Sequence, residues 1–256
     1  MSSKKYKNKL CVYCAVKPST TGDHVFAREF FAINRRDNLP QVPACADCNG
    51  EKSELEHYLT AALLIGGRHP DGEAMMWERL ERRLAKNPKL YKAIAEGIRL
   101  TVIDGPPPRE GLIPVQVPFD GQQLLNLLNY VAKGLLWHHW KVILQPEFNV
   151  SSVSLTRSGE ALLGSLLDKY ARERTTVDLG NGTFRYEGIQ GEYPEHSVWG
   201  FSVFGGVRLH GESATASSAS EYLGAFTGRP DILENPDFAK LLQTTRPIPL
   251  HGQQEI

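Results

Sequence analysis

The chain has 256 residues, enough for one large domain or two modest ones, and a hydrophobic fraction of 41% supports a packed core. Basic and acidic residues balance at 29 each, so no whole-molecule electrostatic attraction to a polyanion can be argued, only a local one. No stretch approaches the roughly 18 apolar residues that span a bilayer, and no apolar run follows the N-terminal lysines as in a secretory signal. The expected setting is therefore a reducing, cytoplasmic one, where cysteines are metal ligands or free thiols before they are disulfides.

Charge is local. Residues 1 to 36 hold Lys4, Lys5, Lys7, Lys9, Lys17, Arg28, Arg35 and Arg36 against Asp23 and Glu29, a surplus of 8 − 2 = +6. Either this is a solvated basic start, or Arg28, Arg35 and Arg36 meet phosphates.

The four cysteines fall into two Cys-x-x-Cys pairs, Cys11 and Cys14 in LCVYCAV and Cys45 and Cys48 in ACADCNG. Each pair can set two thiolates on one side of a tight turn, and two such turns complete the closed tetrahedral shell of structural zinc. The spacing of 45 − 14 − 1 = 30 residues between pairs is longer than the roughly 15–20 usual for paired knuckles, which predicts a folded insertion. A redox dithiol with two unrelated cysteines is the rival reading; two matched pairs with none left over argue against it.

Within the insertion, KPSTTG reads as turn, DHVFAREFFAI as a strand or turn, and NRRDNLP as a loop. After Cys48, NGEKSELEHYLTAALLI places Leu55, Leu59, Leu63 and Leu64 at helical spacing. Asp23 and His24 sit side by side in this insertion. In a regular strand they face opposite ways, so a shared site requires the strand to end or bend there, and Gly22 suggests an irregular backbone.

The ordered set of two Cys pairs, Asp23-His24-Val25, Asp37-Asn38-Leu39 and Cys48-Asn49 with Lys52 resembles the HNH endonucleases over roughly residues 9 to 60. The resemblance departs where a proline commonly follows the histidine, since this chain has Ala27, and Asn49 stands at a position often held by histidine. It implies a zinc-stapled ββα-metal module that hydrolyses phosphodiester bonds of nucleic acid, with DNA the expected substrate, leaving 5′ phosphate and 3′ hydroxyl ends. His24 would be the general base, Asp23 and Asn49 would hold a catalytic Mg²⁺ or Mn²⁺, and Asn38 would brace the loop that aims His24. Histidine suits proton abstraction because its ordinary pKa lies near neutrality. Hard divalent cations suit the oxygen donors of Asp23 and Asn49. Lys52 either reaches a phosphate near the helix N-terminus or pairs with Glu56 at i, i+4. His57, two turns past Asn49, is a minor candidate near the metal. Compact proteins of this kind with long unassigned C-terminal regions occur in bacterial and phage defence settings.

Further along, residues 54 to 98 read mostly as helix, with Trp77, Leu80 and Leu84 on one stripe before the Asn87-Pro88 break. GIRLTVIDG and LIPVQVPF read as short strands on either side of GPPPREG, the best linker candidate, near residue 106. Residues 120 to 145 and 158 to 174 read as helices. His138 and His139, in the first of these, are expected to be packed core histidines and not metal ligands. NGTFRYEG and SVWGFSVFGGVRLHG read as a β-ribbon with an Asn-Gly turn, ESATASSASE as a surface loop, and the residues from Thr244 as loosely held.

The expected fold is α+β: a ββα-metal module over 1–60, a helical extension over 61–105, and a C-terminal α+β region over 106–256 with a short β-ribbon, for target recognition or partner docking. No dimer signal is legible. A different class of function also fits, a non-catalytic zinc module that binds nucleic acid or protein.

Overall fold

The computed structural model describes residues 4–66, 69, 85, 88–97, 99–100, 115–116, 119–206, 219–236 and 244–245. It is mixed α and β. A two-stranded antiparallel hairpin of β1 (Thr21–His24) and β2 (Gln41–Ala44) is followed directly by the long helix α1 (Ala46–Gly66). Between the strands the chain makes two 3-10 turns, Arg28–Phe30 and Ile33–Arg35, so that of the strand or turn expected over DHVFAREFFAI only the first residues are strand. Helix α2 (Pro88–Gly97) begins at the proline expected to break the preceding pattern, and β3 (Arg99–Leu100) pairs with β4 (Val115–Gln116). The Trp77 stripe and the linker near residue 106 lie outside the described residues.

Helix α3 (Gly121–Trp140) is the axis of the molecule. Asp120 caps its N-terminus by accepting from the backbone N–H groups of Gln122 and Gln123, and Lys141 ends it in the left-handed region at φ 60°. The helix ends five residues before the end of the 120–145 expected. Its leucines are buried almost all round, because it packs against α1 and β2 on one side and against the large sheet on the other.

That sheet is the main difference from the expected ribbon. It has six antiparallel strands in the order β10-β5-β9-β8-β7-β6, comprising β5 (Asn149–Thr156), β6 (Thr175–Leu179), β7 (Phe184–Gln190), β8 (Ser197–Val203), β9 (Ala219–Gly228) and β10 (Thr244–Thr245). Helix α4 (Arg157–Lys169), capped by Thr156, and the short α5 (Pro230–Leu233) pack beside it. The end of the expected surface loop, Ala219 to Glu221, is instead part of β9, and Thr244–Thr245 pair with Ser154 and Leu155 instead of hanging free.

The hairpin module and the sheet share one core. Val25, Phe26, Phe30 and Phe31, immediately after His24, pack in the same buried cluster as Phe184, Tyr186, Phe201 and Phe204. Ring centroids lie 5.1 Å apart for Phe26 and Phe184, 5.2 Å for Phe30 and Phe184, and 5.6 Å for Phe26 and Tyr186. Such pairs stabilise beyond their buried area by about 0.5–1.5 kcal/mol each. Among the described residues no helix is long and apolar enough to cross a membrane.

Candidate metal centre and the polar cluster beside it

Cys11, Cys14, Cys45 and Cys48 come together with their four Sγ atoms all within 4.8 Å of one another. A tetrahedral shell with Zn–S near 2.3 Å places its sulfurs about 3.8 Å apart, and Cys14 and Cys45 are 4.0 Å apart. The group could hold a metal ion such as zinc. Local structure builds it from both ends. The first knuckle is closed by Ala15 N–H donating to Cys11 O at 2.9 Å, with Ala15 in the left-handed region. The second enters α1, where Asn49 N–H donates to Cys45 O at 3.1 Å. The knuckles are joined by Val12 N–H to Pro43 O and by an exposed Lys17–Asp47 ion pair. Burial pushes the Cys11 and Cys48 thiols up, and neighbouring sulfurs push Cys48 further. Cys14, for which burial is outweighed by the backbone N–H groups of Lys17 and Val16, is held at about 7. Crowded thiolates repel unless a cation is shared among them, which is the electrostatic setting of a metal-ligand group.

Next to the cysteines lies a polar cluster at the end of β1. Asp23 and His24 are both in regular antiparallel register, opposite Val42 and Gln41, so no bend turns them to one side. Gly22 is needed for another reason than an irregular backbone: a Cβ there would lie 2.4 Å from the Tyr6 ring. Asp23 turns towards α1, where its Oδ2 accepts from the Tyr13 hydroxyl at 2.6 Å and pairs with Lys52 Nζ at 3.0 Å. His24 turns towards its cross-strand neighbour, and its Nε2 lies 2.7 Å from the Gln41 amide nitrogen. With the amide so oriented, Gln41 donates and Nε2 carries no proton. Burial, aided by the positive charges of Arg28 and Lys52, holds the imidazole below its ordinary value against the opposing pull of Asp23.

Lys52 is completely buried. Its ammonium donates to the His24 carbonyl oxygen at 2.8 Å and pairs with both Asp23 and Glu56. The i, i+4 pairing with Glu56 is thus present, and the ammonium points into the module. Asn49 sits half-buried one turn before Lys52 on α1. Asn38 is exposed in the left-handed region at φ 57°, as a turn residue two positions before Pro40, whose carbonyl accepts from Val25 N–H at 2.9 Å. Arg28 and Arg35 are exposed, while Arg36 Nε donates to Phe31 O at 3.2 Å. His57 is exposed. His138 and His139 are half-buried, and His139 Nε2 lies 3.0 Å from the Tyr186 hydroxyl. Burial drops His139 to about 4, so it is a packed neutral ring as the sequence led one to expect.

Two residues of the cluster escaped sequence reasoning: Tyr13 and Gln41. Gln41 becomes a partner of His24 only once the hairpin register is known. Tyr13 is hidden inside the first Cys pair, where it also packs edge-on against Tyr130 of α3 at 5.1 Å. Glu56 had been visible only as a partner of Lys52. A cleft of about 670 Å³ opens beside the cysteines between α1 and α3, and of the polar cluster only Tyr13 lines it. No protein-family model matches this chain, and no curated protein or solved structure does.

Proposed function

We propose that the protein is a metal-dependent endonuclease of the HNH type, hydrolysing phosphodiester bonds of nucleic acid, with DNA the expected substrate. What supports this most is one arrangement: Asp23 and His24 at the end of a hairpin strand, tied by Lys52 to the helix that carries Asn49, beside a four-cysteine cluster. In this reading the cysteines hold zinc and staple the hairpin to α1. His24, kept neutral by its surroundings, takes the proton of the attacking water. Asp23 and Asn49 offer a carboxylate and a carboxamide oxygen, hard donors that fit Mg²⁺ or Mn²⁺. A divalent ion there supplies Lewis-acid stabilisation of the phosphate and the leaving 3′ oxygen. Exposed Lys4, Lys5, Lys7, Lys9, Lys17, Arg28 and Arg35 give the same module a basic surface for the strand, so binding should weaken with salt. The region from residue 106 onward would recognise the target or dock a protein partner, in a setting such as phage defence.

Plasmid DNA incubated with the protein and Mg²⁺ or Mn²⁺ tests the reading. Wild type should nick it, and His24→Ala should cut turnover by about a hundredfold or more while zinc content and circular dichroism stay unchanged. Equal nicking by the two proteins, or none by either under any metal and partner condition, would sink the enzymatic reading.

A second reading has an observation of its own. The charge on Asp23 is already met by Lys52, as a non-catalytic zinc module that binds nucleic acid or protein would allow. The two part on Mn²⁺ titration. The nuclease takes up a weakly held ion beyond zinc that Asp23→Ala or Asn49→Ala removes; the binding module does not.

A further inference from the structure

Lys52 spends every donor it has on two candidate functional residues and one helper. Its buried ammonium meets the carbonyl oxygen of His24 at 2.8 Å, Oδ2 of Asp23 at 3.0 Å, and Glu56. The Tyr13 hydroxyl occupies the same Oδ2 at 2.6 Å. Two donors therefore saturate one oxygen of Asp23, while Oδ1 has no hydrogen-bond or ion-pair partner among the described residues. The Asp23 side chain is 12% exposed, so that free oxygen has little room to choose a different orientation.

We propose that Lys52 is a positioning residue: it pins Asp23 by one carboxylate oxygen and His24 by its main chain, so that Asp23 presents a single free oxygen to an ion and the imidazole leaves the strand at a fixed angle. The inference rests on the nuclease reading above and adds to it the element that orders its parts. A lysine kept only for stability is a poor choice here. Removing an ammonium from water is costly, and a well-packed apolar side chain commonly does as well or better. Orientation of ligands and of the base is what an apolar residue could not supply. Glu56 completes the device by holding the ammonium from the far side, one helical turn on.

Two variants separate orientation from charge. Lys52→Met leaves Asp23 and Glu56 facing each other without a counter-charge and risks unfolding the module. Lys52→Met/Glu56→Gln leaves one negative charge, the same net charge that the native trio carries with both carboxylates ionised, and removes only the tether. Turnover of plasmid DNA at saturating Mn²⁺ and Mn²⁺ affinity by electron paramagnetic resonance are measured at about pH 8, well below the melting temperature. The double variant should keep its zinc and fold, lose about tenfold to a hundredfold in turnover, and bind Mn²⁺ about tenfold more weakly. If it cuts and binds within about twofold of an active wild type, the proposal is overturned while the nuclease reading stands. A double variant that does not fold makes Lys52 a folding residue and overturns it too. A wild type that neither cuts nor takes up Mn²⁺ removes the nuclease reading itself, and this role with it.

Discussion

At position 56 a carboxylate has been drawn into the module far enough for its acidity to change. Burial raises Glu56 to about 7 from an ordinary 4.5, in spite of Lys52, whose ammonium pulls the other way. The folded state thus holds a proton that the unfolded chain releases near 4.5. Raising the pH from about 4.5 to 7 therefore stabilises the unfolded chain more than the folded one. Wild type should lose stability relative to Glu56→Gln across that window, by about 3 kcal/mol at most, and the difference should level off above it. Parallel urea titrations of the two proteins between pH 4 and 8 would read this; curves that stay parallel throughout would contradict it. At this scale the sequence was partly legible. Asp23, His24, Asn49 and Lys52 could be singled out by their order along the chain. Their partners Tyr13 and Gln41 could not, because one depends on the path of a knuckle and the other on a cross-strand register.

The hairpin, the knuckles and α3 depend on one another. Gly134 of α3 lies against the residue that follows His24: a Cβ there would come within 2.8 Å of Val25 Cγ2. Gly134→Ala should therefore push the end of β1 aside and cost about 1–3 kcal/mol, read as a lower melting temperature. Wild-type stability in this variant would mean that α3 yields instead. On the other side, if the four cysteines hold zinc as proposed, Cys45→Ser should strip it and melt the hairpin, because such an ion would supply on the order of 10 kcal/mol of folding free energy in a small module. Metal analysis with thermal melts, on the variant and on wild type treated with a chelator, should give matching losses. Among the elements, α1 and α4 were readable from their leucines and α3 from its long apolar run, while the caps Asp120 and Thr156 emerged only from the structure. Strands β5 and β9 were not. NVSSVSLT has serines where a half-buried strand would alternate, and ASEYLGAFTG is covered on both faces and rich in small residues, so neither carries a period of two.

Taken whole, the hairpin module and the C-terminal sheet are joined by one core. The aromatic residues between β1 and β2 are buried against the sheet strands of the C-terminal region, and one cluster runs from Cys11 to Ala225. Residues 1–105 expressed alone should leave Phe26, Phe30 and Phe31 uncovered. That fragment should bind a hydrophobic dye and lack a cooperative melt, whereas the full chain should melt in one transition. A fragment that melts sharply on its own would show that the hairpin module needs no sheet. This sharing was invisible in the sequence because it rests on contacts between positions some 150 residues apart, as between Phe30 and Phe184, which local pattern cannot report.

The phenylalanines that follow His24 bolt this end of the hairpin to the sheet. If that end cuts nucleic acid, as proposed, it would be held fast against the sheet, and the strand would have to bend or be carried to it. Any surface deciding which sequence arrives would then also decide, through geometry alone, which bond is cut.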